Sequence, residues 1–245
     1  MIIEFIGLPG AGKTSLQTAL HQHLSASTIV VRDRYALQQA YLKALSPLPR
    51  SGFFRRLGTL VYKGQLSVRL YNDHSLGHQH SDLFNRHLWR CGQRCLESGA
   101  LLHASQDKHL DELHDLDEGA GQHLCSLRVW QRWSGKAEGQ LASHDWISTQ
   151  IEGQEVCFIV LDLDLNTALE RLQARGTPAY WPNAPVEKVL DLYQQELDLL
   201  HDWLQSKVTA KQRIIRIDAS GSLDSWQIKA AELASLCGFA DQHIG

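Results

Sequence analysis

Ile2, Ile3, Phe5 and Ile6 make a short apolar run that stops at Gly7, and Leu16, Ala19, Leu20 and Leu24 then recur at helical spacing. The pattern predicts a strand, a glycine loop and a helix. A second strand is expected over Ser27 to Arg32, where Ile29, Val30 and Val31 follow one another without polar alternation, as in a parallel strand covered on both faces. Its end delivers Asp33, Arg34 and Tyr35. From Ala36 to Lys108 the chain reads as helical but broken, with Pro47, Pro49, Gly52, Gly58, Gly64 and Gly77 as punctuation. A short strand is expected to end at Asp117, and Val156 to Leu163 is the clearest buried strand. Asp164 or Asn166 can cap the helix after it, and Gly176 can close that helix in a left-handed conformation. Pro185 opens a long amphipathic helix carrying Val186, Val189, Leu190, Tyr193, Leu197, Leu200 and Leu204 on one face. Ile214, Ile215 and Ile217 form a last strand. Leu223, Trp226, Ala230, Leu233 and Cys237 stripe a final helix closed by Gly238. Strands alternating with helices predict a single α/β domain over 1–245, with a parallel sheet of about five strands and right-handed crossovers.

Composition narrows the function classes. With 245 residues, 43% hydrophobic and 21% charged, the chain is long enough to bury a core and too apolar to stay disordered. A formal net charge of -3 argues against a dedicated nucleic-acid binder. The five cysteines are odd in number and form no C-x-x-C pair, which fits a reduced, cytoplasmic setting. The longest apolar stretch, Val156 to Leu165, is about half of the roughly 20 residues a membrane helix needs, and the first residues lack a secretion signal. A soluble protein is the expectation, with a small molecule as partner and a homodimer as an open assembly.

The segment Gly7-Leu8-Pro9-Gly10-Ala11-Gly12-Lys13-Thr14 matches G-x-x-x-x-G-K-[ST] between the first strand and the first helix. Amides of a glycine loop can close around phosphate oxygens, and the helix starting there adds the positive end of its dipole. Bulky side chains would block that approach. Lys13 is expected on the β- and γ-phosphates of ATP, Thr14 on Mg²⁺, and Ser15 in the same nucleotide site.

Asp117-Glu118-Gly119 is the candidate second acidic element, with Asp117 a candidate Mg²⁺ ligand; Asp162, after a better apolar strand, competes for that place. Arg171 and Arg175, at i and i+4, project from one helix face and could clamp phosphates. Gly176-Thr177-Pro178 then leads into a loop with Tyr180 and Trp181 that suits a water-excluding lid over about 171–185.

Taken in order, these stretches resemble the nucleoside-monophosphate and thymidylate kinase-like family of P-loop kinases over nearly the whole chain. The resemblance rests on the loop, on Asp117-Glu118-Gly119, and on Val160-Leu161-Asp162-Leu163-Asp164 running through Ala168-Leu169-Glu170-Arg171-Leu172 to Arg175-Gly176. Ile217-Asp218-Ala219-Ser220-Gly221 is similar to that family's last strand and adenine-side loop. The resemblance implies a P-loop fold with a helical acceptor-side insertion over about 36–110. It also implies transfer of the γ-phosphoryl group of ATP to a small acceptor, with Arg171 and Arg175 as lid arginines. Asp33 becomes the first candidate for the base, and Arg34 and Glu118 for acceptor contacts. One departure stands out: Asp33-Arg34-Tyr35 follows the second strand, whereas the thymidylate kinase signature follows the third. A nucleotide-dependent switch or adaptor would use the same loop, but a guanine switch would want Asn-Lys-x-Asp, which the sequence lacks. The basic and apolar stretch Arg50 to Arg69 could line an acceptor site or touch an anionic surface, but reads more simply as a solvated helix packed on the core; the trio His74, His78 and His80 has no matching cysteine or carboxylate framework for a metal, and Cys91 and Cys95 share a helix face as small buried residues.

Overall fold

The computed structural model describes residues 1–25, 27, 29–33, 36, 94, 112–116, 118–135, 151–177, 181, 184–207, 209–221 and 225–239. Arg34, Asp117, nearly all of the 36–110 insertion and part of the lid lie outside them, as do the Arg50 to Arg69 stretch, the histidine trio, Cys91 and Cys95.

β1 (Ile2–Gly7) is buried at every position. α1 (Lys13–Leu24) follows the glycine loop. β2 (Val30–Arg32) is shorter than the apolar run suggested, because pairing with its neighbour begins only at Val30. β3 spans Glu112–Asp115, so it ends two residues before Asp117. α2 (Ala120–Trp133), β4 (Val156–Asp162), α3 (Leu165–Arg175), α4 (Val186–Lys207), β5 (Gln212–Asp218) and α5 (Ser225–Leu236) complete the described elements.

The five strands form one parallel sheet in the order β2-β3-β1-β4-β5. β1 lies at its centre, in register with β4 from Ile2↔Val156 to Gly7↔Leu161. A central parallel strand needs apolar residues on both faces, which Ile2, Ile3, Phe5 and Ile6 supply. α1 packs on α5, and α2 packs on α4 and β1. The core that results runs through Phe5, Leu16, Leu20, Trp130, Phe158 and Leu233, all buried.

Local signals account for most boundaries. Asp164 caps α3 by accepting a hydrogen bond from the Thr167 amide at 2.9 Å. Gly176 has φ +87° as expected, but its ψ of 142° carries the chain away extended rather than left-handed. Pro185 stands just before α4, its carbonyl accepting from Lys188 N–H at 3.1 Å, and so marks the helix start from one residue outside it. Among the described residues no helix is long and apolar enough to cross a membrane.

α2 has no counterpart in the pattern read along the sequence. Eleven of its residues are buried, yet Gln122, His123, Arg128 and Gln131 are among them, so no apolar stripe announces the helix. Its charge is met across the helix pair. Glu196 of α4, fully buried, accepts from Arg128 Nε at 2.5 Å and from Arg132 Nη1 at 2.7 Å. Cys125 sits beside it, and burial, reinforced by the charge of Glu196, pushes the thiol far above its ordinary range, leaving it protonated and inert.

Candidate active site

The loop after β1 reverses direction on two glycines. Gly10 has φ +90° and Gly12 φ +89°, a region L side chains rarely adopt. Space excludes side chains as well: a Cβ on Gly12 would stand 2.5 Å from Trp226 Cζ2, and one on Gly10 would stand 3.2 Å from the Ala168 carbonyl oxygen. The main chain can therefore come close to α3 and α5 while Ala11 N–H closes a turn on the Leu8 carbonyl at 3.0 Å. This is a cradle that a side chain would fill, as a backbone phosphate site requires.

Lys13 is buried, and its ammonium folds back over the loop. Nζ donates to the Gly7 carbonyl at 3.0 Å and the Leu8 carbonyl at 3.3 Å, and lies 3.4 Å from Glu118 Oε1. Thr14 is exposed at the first turn of α1 and Ser15 half-buried beside it. A cleft of about 380 Å³ opens over this arrangement, lined by the loop, Lys13, Thr14, Ser15, Glu118, Arg171 and Arg175.

The opposite wall belongs to α2. Glu118, Gln122 and Ser126 recur every four residues and all line the cleft, joined by His123. Gln122 holds the loop: Gly7 N–H donates to its Oε1 at 2.9 Å, while its own N–H donates to Oε1 of the buried Glu4 at 3.0 Å. Glu4 thus satisfies an amide at the N-terminus of α2, a role its cap residue Gly119 has no side chain to fill. A Cβ on Gly119 would stand 2.4 Å from Glu4 Cδ, so the glycine is what lets the carboxylate in. Trp181, beyond the end of α3, stacks on Tyr193 at 6.4 Å and meets Trp130 edge-on at 5.7 Å, and Trp181 and Tyr193 also line the cleft.

Arg171 and Arg175 do share the cleft, but the Arg171 guanidinium is engaged with backbone. It donates to the carbonyls of Gly10 at 3.4 Å, Ala219 at 3.1 Å and Gly221 at 3.2 Å, strapping the glycine loop to the loop after β5. That second loop is ordered from within. Ser220 donates its amide and hydroxyl to the Asp218 carboxylate, each at 2.8 Å, and these bonds hold the carboxyl below its usual range.

The other acids lie elsewhere. Asp33 follows β2 as expected, is exposed, and accepts from Ala36 N–H at 2.7 Å; it does not line the described cleft. Asp162 is held by Arg216 through two bonds of 2.7 Å and faces a separate pocket between β4, β5 and α4. Asp115, the buried last residue of β3, turns to α1, where Gln17 donates at 2.9 Å and His21 Nε2 lies at 2.5 Å. The residues that sequence reasoning passed over are Gln122, His123, Ser126 and Arg94. None has a motif around it, and only the four-residue spacing from Glu118 to Ser126 could have drawn attention to α2.

No protein-family model matches the sequence, and no curated protein does. Solved structures do match. Deoxyadenosine kinase from M. mycoides with bound dCTP aligns over 97% of this chain and 100% of its own, with 11% identity and a TM-score of 0.52. The same enzyme with the products dCMP and a flexible dCDP aligns over the same shares, with 13% identity and a TM-score of 0.52. At that identity the likeness speaks for architecture: the chain has the fold of the P-loop small-molecule kinases, a five-stranded parallel sheet flanked by helices.

Proposed function

We propose that this chain is a phosphotransferase that moves the γ-phosphoryl group of ATP to a hydroxyl of a small acceptor, a nucleoside or nucleotide, a sugar or another metabolite. The observation that carries the reading is convergence. A backbone phosphate cradle, its lysine, two arginines and a carboxylate drawn from three distant parts of the chain line one cleft of about 380 Å³. A turn without a ligand would need no glycine cradle.

In this reading Gly7 to Ser15 hold the triphosphate, and Lys13 leaves the Gly7 and Leu8 carbonyls to meet the β- and γ-oxygens. The donor set suits Mg²⁺, with the Thr14 hydroxyl and, by the order of motifs, Asp117 to hold it; bound there, the ion would neutralise charge on the phosphates. Arg175, and Arg171 beyond its strapping role, would stabilise charge on the group in flight. The acceptor lies along α2 against Gln122, His123 and Ser126, with Trp181 closing over it so that water is kept from the phosphate. Arg34 is the remaining proposed acceptor contact, and the cytoplasm the proposed compartment.

Titration of ATP and GTP with Mg²⁺, followed by mass spectrometry of a metabolite extract incubated with the protein and ATP, tests this directly. The expected result is tight nucleotide binding and a gain of one phosphate on one class of small molecule. Tight binding with no phosphorylated product across the extract would sink the reading and leave a nucleotide-dependent switch.

A further inference from the structure

Glu118 stands where the two walls of the cleft meet. It follows β3, precedes α2 by two residues, and reaches Lys13 Nζ at 3.4 Å with about a third of its side chain exposed. Among the described residues lining the cleft it is the one carboxylate. A transfer to a hydroxyl needs a group that receives that hydroxyl's proton, and reach is the first criterion for it. Lys13 rests on the Gly7 and Leu8 carbonyls, and its ammonium turns from them to meet the β- and γ-oxygens. The carboxylate it leaves stands in the same cleft as the glycine loop, just before α2, the side from which an acceptor would come. Asp33, by contrast, spends an oxygen on the Ala36 amide and lines no part of the described cleft.

We propose that Glu118 receives the acceptor's proton, and that the same carboxylate holds Lys13 against its own loop until a triphosphate displaces it. The proposal rests on the kinase reading. In the step itself the acceptor oxygen bonds to the γ-phosphorus as the bond from that phosphorus to the β,γ-bridging oxygen breaks. The electron pair of the broken bond leaves with ADP, and the acceptor's proton passes to Glu118 and from there to solvent. The two roles are sequential. Lys13 must turn from Glu118 to the phosphates before the carboxylate is released to meet the acceptor, so the site arms itself only when nucleotide is bound.

The test is Glu118→Gln in the full chain, with two readouts. Turnover of the phosphorylated metabolite falls by about 100-fold to 1000-fold, the share general base catalysis commonly supplies. Affinity for ATP with Mg²⁺, read by titration, stays level or tightens, since Lys13 no longer has an ion pair to leave. Glu118→Asp, which preserves charge with a shorter reach, recovers part of the turnover and guards against a folding artefact. Turnover within a few-fold of the parent overturns the proposal, most clearly if Asp33→Asn abolishes it instead. A rise in the Mg²⁺ concentration needed for nucleotide binding also overturns it, marking Glu118 as a metal ligand. If the parent binds nucleotide but phosphorylates nothing, the kinase reading has failed rather than this inference, and the titration still tests the hold on Lys13.

Discussion

On the glycine-loop side of the cleft, one contiguous stretch of chain supplies the wall, and its path is set by Gly10 and Gly12 at positive φ. On the α2 side, the groups are side chains from one helix face, and that helix is held in place by partners up to 118 residues away in the chain. The first wall is rigid by local covalent geometry. The second is only as well placed as its packing against β1 and α4. In the proposed reading the difference divides the labour: the backbone wall would grip what all such donors share, the triphosphate, while the side-chain wall would differ with the acceptor.

Glu196→Ala should disturb the second wall and spare the first. It leaves the guanidinium of Arg128, nearly buried on α2, without its carboxylate. Removing one partner of a buried pair costs about 3–5 kcal/mol, which for a chain of this size lowers the melting temperature by roughly 10 °C. Below the transition, the acceptor KM should rise while the ATP dissociation constant stays within a few-fold. If both constants rise together, the two walls are not independent and the comparison fails.

Lys13→Ala is the converse. The fold should survive, because the ammonium's present partners are two loop carbonyls and Glu118 rather than the core. Turnover should fall about 100-fold to 1000-fold, the range for removing one electrostatic contact to a transition state. Thermal melting and product formation, measured on the same sample, separate the two effects. Near-normal turnover would remove the loop from the chemistry.

The two walls also differ in what the sequence discloses. Gly7 to Thr14 could be read directly, because the cradle is made of consecutive residues whose backbone needs only glycine permit. The sheet was legible for a related reason: β1, β4 and β5 are central or well-paired strands, and their apolar runs exceed what a loop could carry. α2 was not legible, since two of its buried polar residues, Gln122 and Arg128, are met by Gly7, Glu4 and Glu196, none of which is near in sequence. Asp33 followed β2 as the pattern implied, but which acid lines the cleft depends on how β3 runs into α2, and that is a matter of tertiary placement.

A smaller effect is expected at the seam between the walls. Gln122→Leu keeps the side-chain volume near its present value but leaves the buried Gly7 N–H without its acceptor. An orphaned buried donor costs about 1–3 kcal/mol. The glycine is the first residue of the cradle, so ATP affinity should fall along with stability. A denaturant midpoint that moves while ATP affinity holds would show that Gln122 supports β1 rather than the loop.

Arg171→Lys is the finest probe of the backbone wall. The guanidinium now reaches three carbonyls on two loops, Gly10 on one and Ala219 and Gly221 on the other. A lysine ammonium is a point donor on a flexible stem and cannot span that fork. The charge in the cleft is unchanged, so any loss reports geometry alone. These contacts lie toward solvent, and the expected result is a modest one: melting is almost unaffected, and ATP binds about tenfold more weakly, roughly 1.4 kcal/mol, because the loop after β5 is no longer strapped to the phosphate loop. Turnover at saturating ATP then decides what else the residue does. If it holds, Arg171 is a strap and the charge stabilisation belongs to Arg175. If it falls as well, the guanidinium leaves its carbonyls for the transferring group when nucleotide is bound, and the backbone wall contributes to the chemistry as well as to the grip.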